Sequence, residues 1–405
     1  MNLEELVWLD SPEAQEALQS LASRELSESQ RWPLLKNLRR HFTPAQAGLL
    51  WDQALWRRKA QSKFPQAGQM LWEPQALEQA TSWELALQRA QKLDALVPPG
   101  PILDLGCGLG GQALALAQYR PVWAIDLDPL RLALLERNAR QLQTPYPIET
   151  KLGDFLKMEL PPAAALVADP ARRQGEKRLY DPQETIPPLS ELINLAERYR
   201  LPAAIKLAPS VDRQIIKDYP QSGLEFVGPH LECREAVLWL KTEDAALWEA
   251  SLYRQGQWWS WSKKAQTEIE LPLAPLEAGQ YLYEVQPTLL RAGLLGELAK
   301  ALGASQFDPQ VSWLTGSLAF APAPELKPWY ATFRLTHVQH FSLKALQKLL
   351  RQLEIGILEI KKRNFALEPD QLRSKIKLAP HSKREATLFL TRCAGQPLFL
   401  LGERL

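Results

Sequence analysis

The chain has 405 residues, 23% of them charged and 46% hydrophobic, with Lys and Arg exceeding Asp and Glu by only two. That length exceeds one ordinary hydrophobic core and predicts several domains, and the balance excludes a disordered chain. The N-terminus carries Glu4, Glu5 and Asp10 rather than a basic leader, and no apolar run reaches membrane-spanning length, so a cytoplasmic protein is expected.

Residues 1–95 read as a helical domain. Residues 44–56 and 72–96 carry apolar side chains at three- and four-residue spacing. Thr43 and Pro44 suit a helix start, and Ser82 offers a second start within the longer stretch. Trp56-Arg57-Arg58-Lys59 is the nucleic-acid candidate of this part. Val97-Pro98-Pro99-Gly100-Pro101 then stops the helix.

Residues 96–245 alternate short apolar runs with helical stretches. The runs are residues 102–105, 122–125, 164–168, 203–207, 224–227 and 236–240; helices are expected at 112–117 and 129–141. This pattern predicts an α/β, doubly wound, Rossmann-like domain, its last two runs forming an antiparallel pair. Residues 246–330 read as a small α+β unit. It holds a hairpin about Gln255-Gly256-Gln257, a strand at 281–284, a helix at 287–302 and strands near 311–313 and 330–335. Residues 331–405 form a second α+β module, with helices at 342–353 and 368–376 and strands at 356–361, 387–391 and 397–401. Here fourteen Lys and Arg face six Asp and Glu, a basic surplus suited to a polyanionic partner.

Cys107, Cys233 and Cys393 form no CxxC pair, and the five histidines form no HExxH, so neither a disulfide nor a metal is expected. The chemistry lies elsewhere. Ile102-Leu103-Asp104-Leu105-Gly106-Cys107-Gly108-Leu109-Gly110-Gly111 is a strand entering a glycine-rich turn and a helix, where Gly106, Gly108 and Gly110 permit a sharp turn and close ligand approach. The turn also satisfies the dinucleotide pattern through Gly106, Gly108 and Gly111, which keeps an NAD enzyme as an alternative. Three further acids favour an adenosyl sulfonium ligand. Asp126 ends the second strand, 22 residues after Asp104, where a carboxylate accepts from ribose hydroxyls; Asp154, with Phe155 beside it, follows the third and suits an adenine amino group. Asp169-Pro170 ends the fourth, facing a methyl acceptor. All four acids fall at the carboxyl edge of the sheet, where such folds bind ligands. Asp128 is expected to cap a helix, and Asn138 is a further candidate at the cofactor.

At these residues the sequence resembles the class I S-adenosylmethionine-dependent methyltransferases, in particular bacterial members with a C-terminal THUMP-like domain. Further resembling pieces are Leu77-Glu78-Gln79-Ala80-Thr81-Ser82, Asp126-Leu127-Asp128-Pro129, Asp169-Pro170-Ala171-Arg172-Arg173 and Ala204-Ile205-Lys206-Leu207-Ala208-Pro209. Glu232-Cys233-Arg234-Glu235, Tyr281-Leu282-Tyr283-Glu284 and Glu359-Ile360-Lys361-Lys362-Arg363 continue the match. Residues 103–170 are also similar to trimethylguanosine synthase.

The resemblance implies a helical domain at 1–95, a methyltransferase domain at 96–245, a ferredoxin-like domain at 246–330 and a THUMP-like domain at 331–405. It implies S-adenosylmethionine as cofactor, held by Asp104, Gly106, Gly108, Gly110, Asp126, Asp154 and Phe155, with Gln79 closing over it. RNA is the implied partner, contacted by Lys361, Lys362 and Arg363, and a nitrogen on RNA the implied acceptor. Asp169, Pro170, Arg172 and Lys206 are then the catalytic candidates, and Arg173, Lys177 and Arg178 add basic charge on the acceptor side. Related amino-methyltransferases that act on bases carry Pro and an aromatic after Asp-Pro; this chain has Ala171-Arg172, with Arg172 or Tyr180 as the stacking group. That departure keeps a protein or small-molecule acceptor as an alternative, and a non-catalytic RNA-binding factor as another.

Overall fold

In the computed structural model the described residues are 1–174, 177–179, 181–242, 246–265, 269–317 and 323–405, with backbone alone at 75, 76, 79, 173, 174, 177 and 178. They form two compact units. The first comprises residues 1–211, 219–223 and 237–244, and the second residues 212–218, 224–236 and 245–405. The N-terminal helices and the methyltransferase-like sheet therefore belong to one unit.

That unit begins with four helices, α1 (Leu3–Leu9), α2 (Pro12–Ala22), α3 (Glu28–Leu38) and α4 (Pro44–Ala60). Thr43 caps α4 as expected, its hydroxyl accepting from the Gln46 amide while the Gln46 side chain returns to the Thr43 N–H. The helical stretch over 72–96 is two helices, α5 (Pro74–Gln79) and α6 (Trp83–Leu96), the second starting after Ser82 as the sequence offered. Lys63 holds the break: its ammonium collects the carbonyls of Leu77, Glu78 and Ala80 at 2.8–3.0 Å, satisfying the end of α5. Ser82 precedes α6 in extended conformation but makes no capping bond through its hydroxyl.

The cations of the Trp56–Lys59 run all make contacts within the protein. Arg57 is buried and donates to the Met70 carbonyl and Gln15, Arg58 donates to the Arg24 carbonyl, and Lys59 pairs with Glu78. Trp51 and Trp72 are core residues.

The sheet of the first unit uses β1 (Ile102–Leu105), β2 (Val122–Asp126), β3 (Ile148–Leu152), β4 (Ala165–Ala168) and β5 (Ala203–Leu207). A sixth strand, β6 (Ser222–Pro229), is divided between the units, and β7 (Glu235–Leu240) lies beside β5. The order is β3-β2-β1-β4-β5-β7, with β1 to β5 all parallel. Every residue of β1, β4 and β5 is buried, the continuous burial of a parallel sheet covered on both faces. Helices α7 (Gly111–Leu116), α8 (Pro129–Leu142) and α9 (Leu189–Arg198) connect the strands. Asn138 on α8 serves the fold, not the cofactor. Its amide accepts from the Leu71 N–H at 2.9 Å and donates to the Leu71 carbonyl at 3.0 Å, fastening the N-terminal segment to α8.

In the second unit the expected hairpin is present as β8 (Leu247–Arg254) and β9 (Gln257–Lys264), with Gln255 and Gly256 both at positive φ. The remaining strands are β10 (Tyr281–Val285), β11 (Ser305–Gln306), β12 (Leu314–Gly316), β13 (Tyr330–His340), β14 (Ile357–Lys362), β15 (Glu385–Cys393) and β16 (Gln396–Arg404). They form one sheet in the order β11-β12-β10-β13-β16-β15-β14. It runs across residue 331, so the two expected C-terminal modules share a sheet and a core in which Leu282 and Trp313 meet Phe333 and Phe389.

The predicted helix over 287–302 is α10 (Pro287–Arg291) and α11 (Leu295–Leu302), parted where Gly293 takes φ +69°. Residues 311–313 are not a strand; Val311 and Trp313 instead fill the core, and the ladder begins at Leu314. Two further helices, α12 (Leu343–Gln352) and α13 (Pro369–Arg373), cover a core containing Leu346, Leu350, Leu372 and Leu390.

Candidate active site

The glycine turn leaves β1 as expected. Gly106, Gly108 and Gly110 all take left-handed φ values of +71°, +55° and +77°. The Gly106 N–H donates to the Ile125 carbonyl at 2.8 Å, tying the turn to β2, and Gly110 precedes α7 as its cap. A side chain on Gly108 would meet nothing within 4 Å, so this stretch of backbone borders open space.

Around that space stand the acids. Asp126 is fixed through both oxygens, accepting from the Gly108 N–H at 2.8 Å and the Asp128 N–H at 3.0 Å. Each oxygen retains a lone pair for a ribose hydroxyl. Asp128 caps α8, its side chain accepting from the Leu130 amide at 2.9 Å. Asp154 accepts from the Leu156 N–H and pairs with Lys157 at 2.9 Å, and these partners hold its carboxyl below the usual range, the Lys157 bond contributing most. The Phe155 ring edge approaches Gly106.

Asp104 differs from the others. It is 3% exposed, and its Oδ2 has no hydrogen-bond partner among the described residues.

On the acceptor side, Lys206 lies within β5 and is only 5% exposed. Its ammonium donates to Asp169 Oδ2 at 2.7 Å and to the Thr81 hydroxyl at 2.7 Å. The chain entering Thr81 is the one Lys63 gathers, so the N-terminal helices position a hydroxyl in this site. Asp169 is 41% exposed at its side chain, and its second oxygen faces no described donor. Pro170 is buried, and Ala171 exchanges two hydrogen bonds with Ile186 at 2.9 and 3.0 Å, which fixes the segment. Arg172 is half-buried, with Nη1 lacking a hydrogen-bond partner among the described residues.

The structure thus brings Asp169, Lys206 and Asp104 into one neighbourhood, the electrostatic influence of Asp169 reaching Asp104. Tyr180 and the side chains of Gln79, Arg173, Lys177 and Arg178 lie outside the described residues. Thr81 and Lys63 were not singled out from sequence. The only signal was the resembling segment around Thr81. Leu127, directly after Asp126, is 69% exposed.

Lys361 and Lys362, the expected RNA contacts, already have acidic partners within the protein. Lys361 is engaged by Glu284 at 2.8 Å and Glu359 at 3.0 Å, and Lys362 by Glu368 at 2.5 Å. Of that run only Arg363 has no ion pair to a described acid.

Family models for a methyltransferase domain and a THUMP domain-like module match residues 102–168 and 331–404, and a domain of unknown function matches residues 2–60. An uncharacterised S-adenosylmethionine-dependent methyltransferase of Mycobacterium tuberculosis is 28% identical over 361 residues, covering 86% of this chain and 94% of the relative. An uncharacterised RNA methyltransferase of Brucella suis is 33% identical over 85 residues, 20% of each chain. The crystal structure of a candidate methyltransferase from Porphyromonas gingivalis, 20% identical, covers 100% of this chain and 99% of its own with a TM-score of 0.75, showing the same fold. This chain is an S-adenosylmethionine-dependent methyltransferase that carries a methyltransferase domain and a THUMP-like domain.

The residues of the methyltransferase fit that cofactor. The unpartnered, buried Asp104 oxygen complements a ligand carrying sulfonium and ammonium charge, the open backbone at Gly108 admits it, and Asp126 suits its ribose. The same burial has a pH consequence. Desolvation, with Asp169 and Asp126 adding and Arg89 opposing, pushes the Asp104 carboxyl up to about 7. The free protein therefore holds a proton that the unfolded chain releases near pH ~4, a stabilisation complete below that value and lost as pH rises through about 7. Urea midpoints measured across this window should fall more steeply for wild type than for Asp104→Asn. Parallel slopes in the two proteins would refute the assignment.

Proposed function

We propose that the protein is a cytoplasmic RNA methyltransferase acting on a nitrogen. The observation carrying this reading is Asp169-Pro170 at the carboxyl end of β4, with one carboxylate oxygen clamped by a buried ammonium and the other open to an acceptor. The basic surplus of the THUMP-like region and the RNA methyltransferase relative support RNA as the class of acceptor.

S-adenosylmethionine, when bound, supplies an electrophilic methyl group. The chain's own part is positioning. The free oxygen of Asp169 accepts from an N–H of the acceptor, aiming the nitrogen lone pair, and takes its proton directly or through water. Lys206 fixes the carboxylate rotamer, Thr81 fixes Lys206, and the Ala171–Ile186 bridge fixes the backbone. Such orientation is worth orders of magnitude in rate when the reacting atoms are held in near-attack geometry. Arg172 supplies a donor for the base or a phosphate.

A second reading rests on Ala171-Arg172, which stand where base-modifying relatives carry Pro and an aromatic; there the acceptor is a protein or small molecule. Tritiated methyl transfer into fractionated cell extract separates the two. Label in RNA is expected, and label confined to protein or metabolites would overturn the RNA reading. Nucleoside mass spectrometry of a deletion strain against its parent then identifies the modified base.

A further inference from the structure

The cations of the THUMP-like region fall into two sets. Those on β14 are spent internally, Lys361 on Glu284 and Glu359, Lys362 on Glu368. Those on α12 and the segment at 374–384 are not. Lys344, Lys348 and Arg351 recur at i, i+4 and i+7, forming one exposed stripe on α12 opposite the buried Leu346, Leu349 and Leu350. The stripe rises about 6 Å from the first lysine to the second. None of the three has an ion pair to a described acid.

The segment after α13 brings more charge to the same face. The Gln347 amide accepts from the Lys377 N–H at 2.7 Å and donates to the Lys377 carbonyl at 2.7 Å, clipping that segment to α12. Ile376 turns into the core beneath α12, which leaves its neighbours Lys375 and Lys377 in solvent. The return is held as tightly. The Ala379 N–H donates to the Ile355 carbonyl at 2.9 Å, and Arg384 Nη1 to the Leu353 carbonyl at 3.1 Å. A side chain on Gly356 would lie 1.7 Å from the Ser382 carbonyl oxygen, so glycine lets the segment close. Lys383 and Arg384 are thereby added to the face, with Glu354 and Glu385 as exposed acids next to it in sequence.

We propose that this helix-and-loop face is where the methyltransferase holds the RNA backbone. The inference rests on the RNA reading above and names its contact surface. Five of the seven cations are lysines, point charges on flexible stems that suit phosphates better than base edges. Leu346, Leu349 and Leu350 turn inward and Leu343, at the first position of α12, is its one exposed leucine, so the face offers mainly charge and lacks the cluster of apolar anchors that a protein interface or a bilayer requires.

The test is fluorescence anisotropy of a labelled RNA hairpin over a KCl series, comparing wild type with Lys344→Gln/Lys348→Gln/Arg351→Gln. The triple variant should bind more weakly, and its log–log salt slope should shrink by about 2–3, at ~0.7–0.9 per lost phosphate contact. Lys300→Gln/Arg392→Gln, exposed cations elsewhere in the unit, should leave the slope unchanged. Thermal melting checks that both variants fold, as substitution of exposed side chains predicts. Wild-type affinity and slope in the triple variant would overturn the proposal. So would a wild-type protein that binds anionic vesicles but no RNA. Methyl transfer into total RNA is measured in parallel. RNA label with an unaltered triple variant defeats the surface alone; a weakened triple variant with label only in protein supports the surface while defeating the acceptor reading.

Discussion

Replacing Lys206 with methionine is expected to lower methyl transfer about 100-fold or more while leaving S-adenosylhomocysteine affinity near wild type. Methionine keeps the length and apolar stem of the side chain within β5, so packing is preserved. Among the interactions lost are the two 2.7 Å hydrogen bonds to Asp169 and Thr81. Asp169 is then free to choose another rotamer, and a displacement of ~1 Å at a reacting group costs roughly 10²-fold. The stability cost should be small, about 1–3 kcal/mol, because the carboxylate left behind is 41% exposed and regains water. Lys206 is a positioning residue in this account, and its signature is a loss in kcat rather than KM. Thr81→Val should show the same signature more weakly. Full activity in Lys206→Met would remove the clamp from the mechanism.

The parts legible in the sequence and the parts hidden from it divide by the range of the interaction. β1 and β5 fall where the apolar runs place them, because strands covered on both faces are written as uninterrupted hydrophobic stretches. The glycine turn and Asp126 are readable because a short, fixed spacing from one strand end to the next encodes them. Thr81 is not, since its meaning comes from an ammonium 125 positions away. Lys63 shows the same difficulty from the other side. Ser82 marks a second helix start within residues 72–96, but the end of the first helix is held by a distant ammonium gathering three carbonyls, which no local pattern encodes. Charge counting has an equivalent blind spot. It registers the surplus in 331–405 but not that Glu284 on β10 neutralises Lys361, which moves the unpaired charge from β14 to α12 and the loop beside it.

Gly110→Ala is the second large effect, and it separates two reasons for glycine within one turn. At φ +77° a non-glycine residue costs about 1–2 kcal/mol. Its added carbon would also lie 2.1 Å from Leu135 Cδ1 and 2.8 Å from Leu135 Cγ. Leu135 is fully buried on α8, so overpacking adds a further ~1–3 kcal/mol. A loss of about 3 kcal/mol is therefore expected in urea unfolding. Gly108→Ala carries a similar backbone penalty at φ +55° but meets no atom within 4 Å, so its stability loss should be near 1 kcal/mol. Its effect falls on binding, because the added methyl projects into the space that the cofactor requires. Calorimetry with S-adenosylhomocysteine should show the larger affinity loss per unit of stability in Gly108→Ala, and denaturation the larger midpoint shift in Gly110→Ala. If the two variants proved interchangeable in both measurements, the division of this turn into a packing glycine and a ligand-facing glycine would fail.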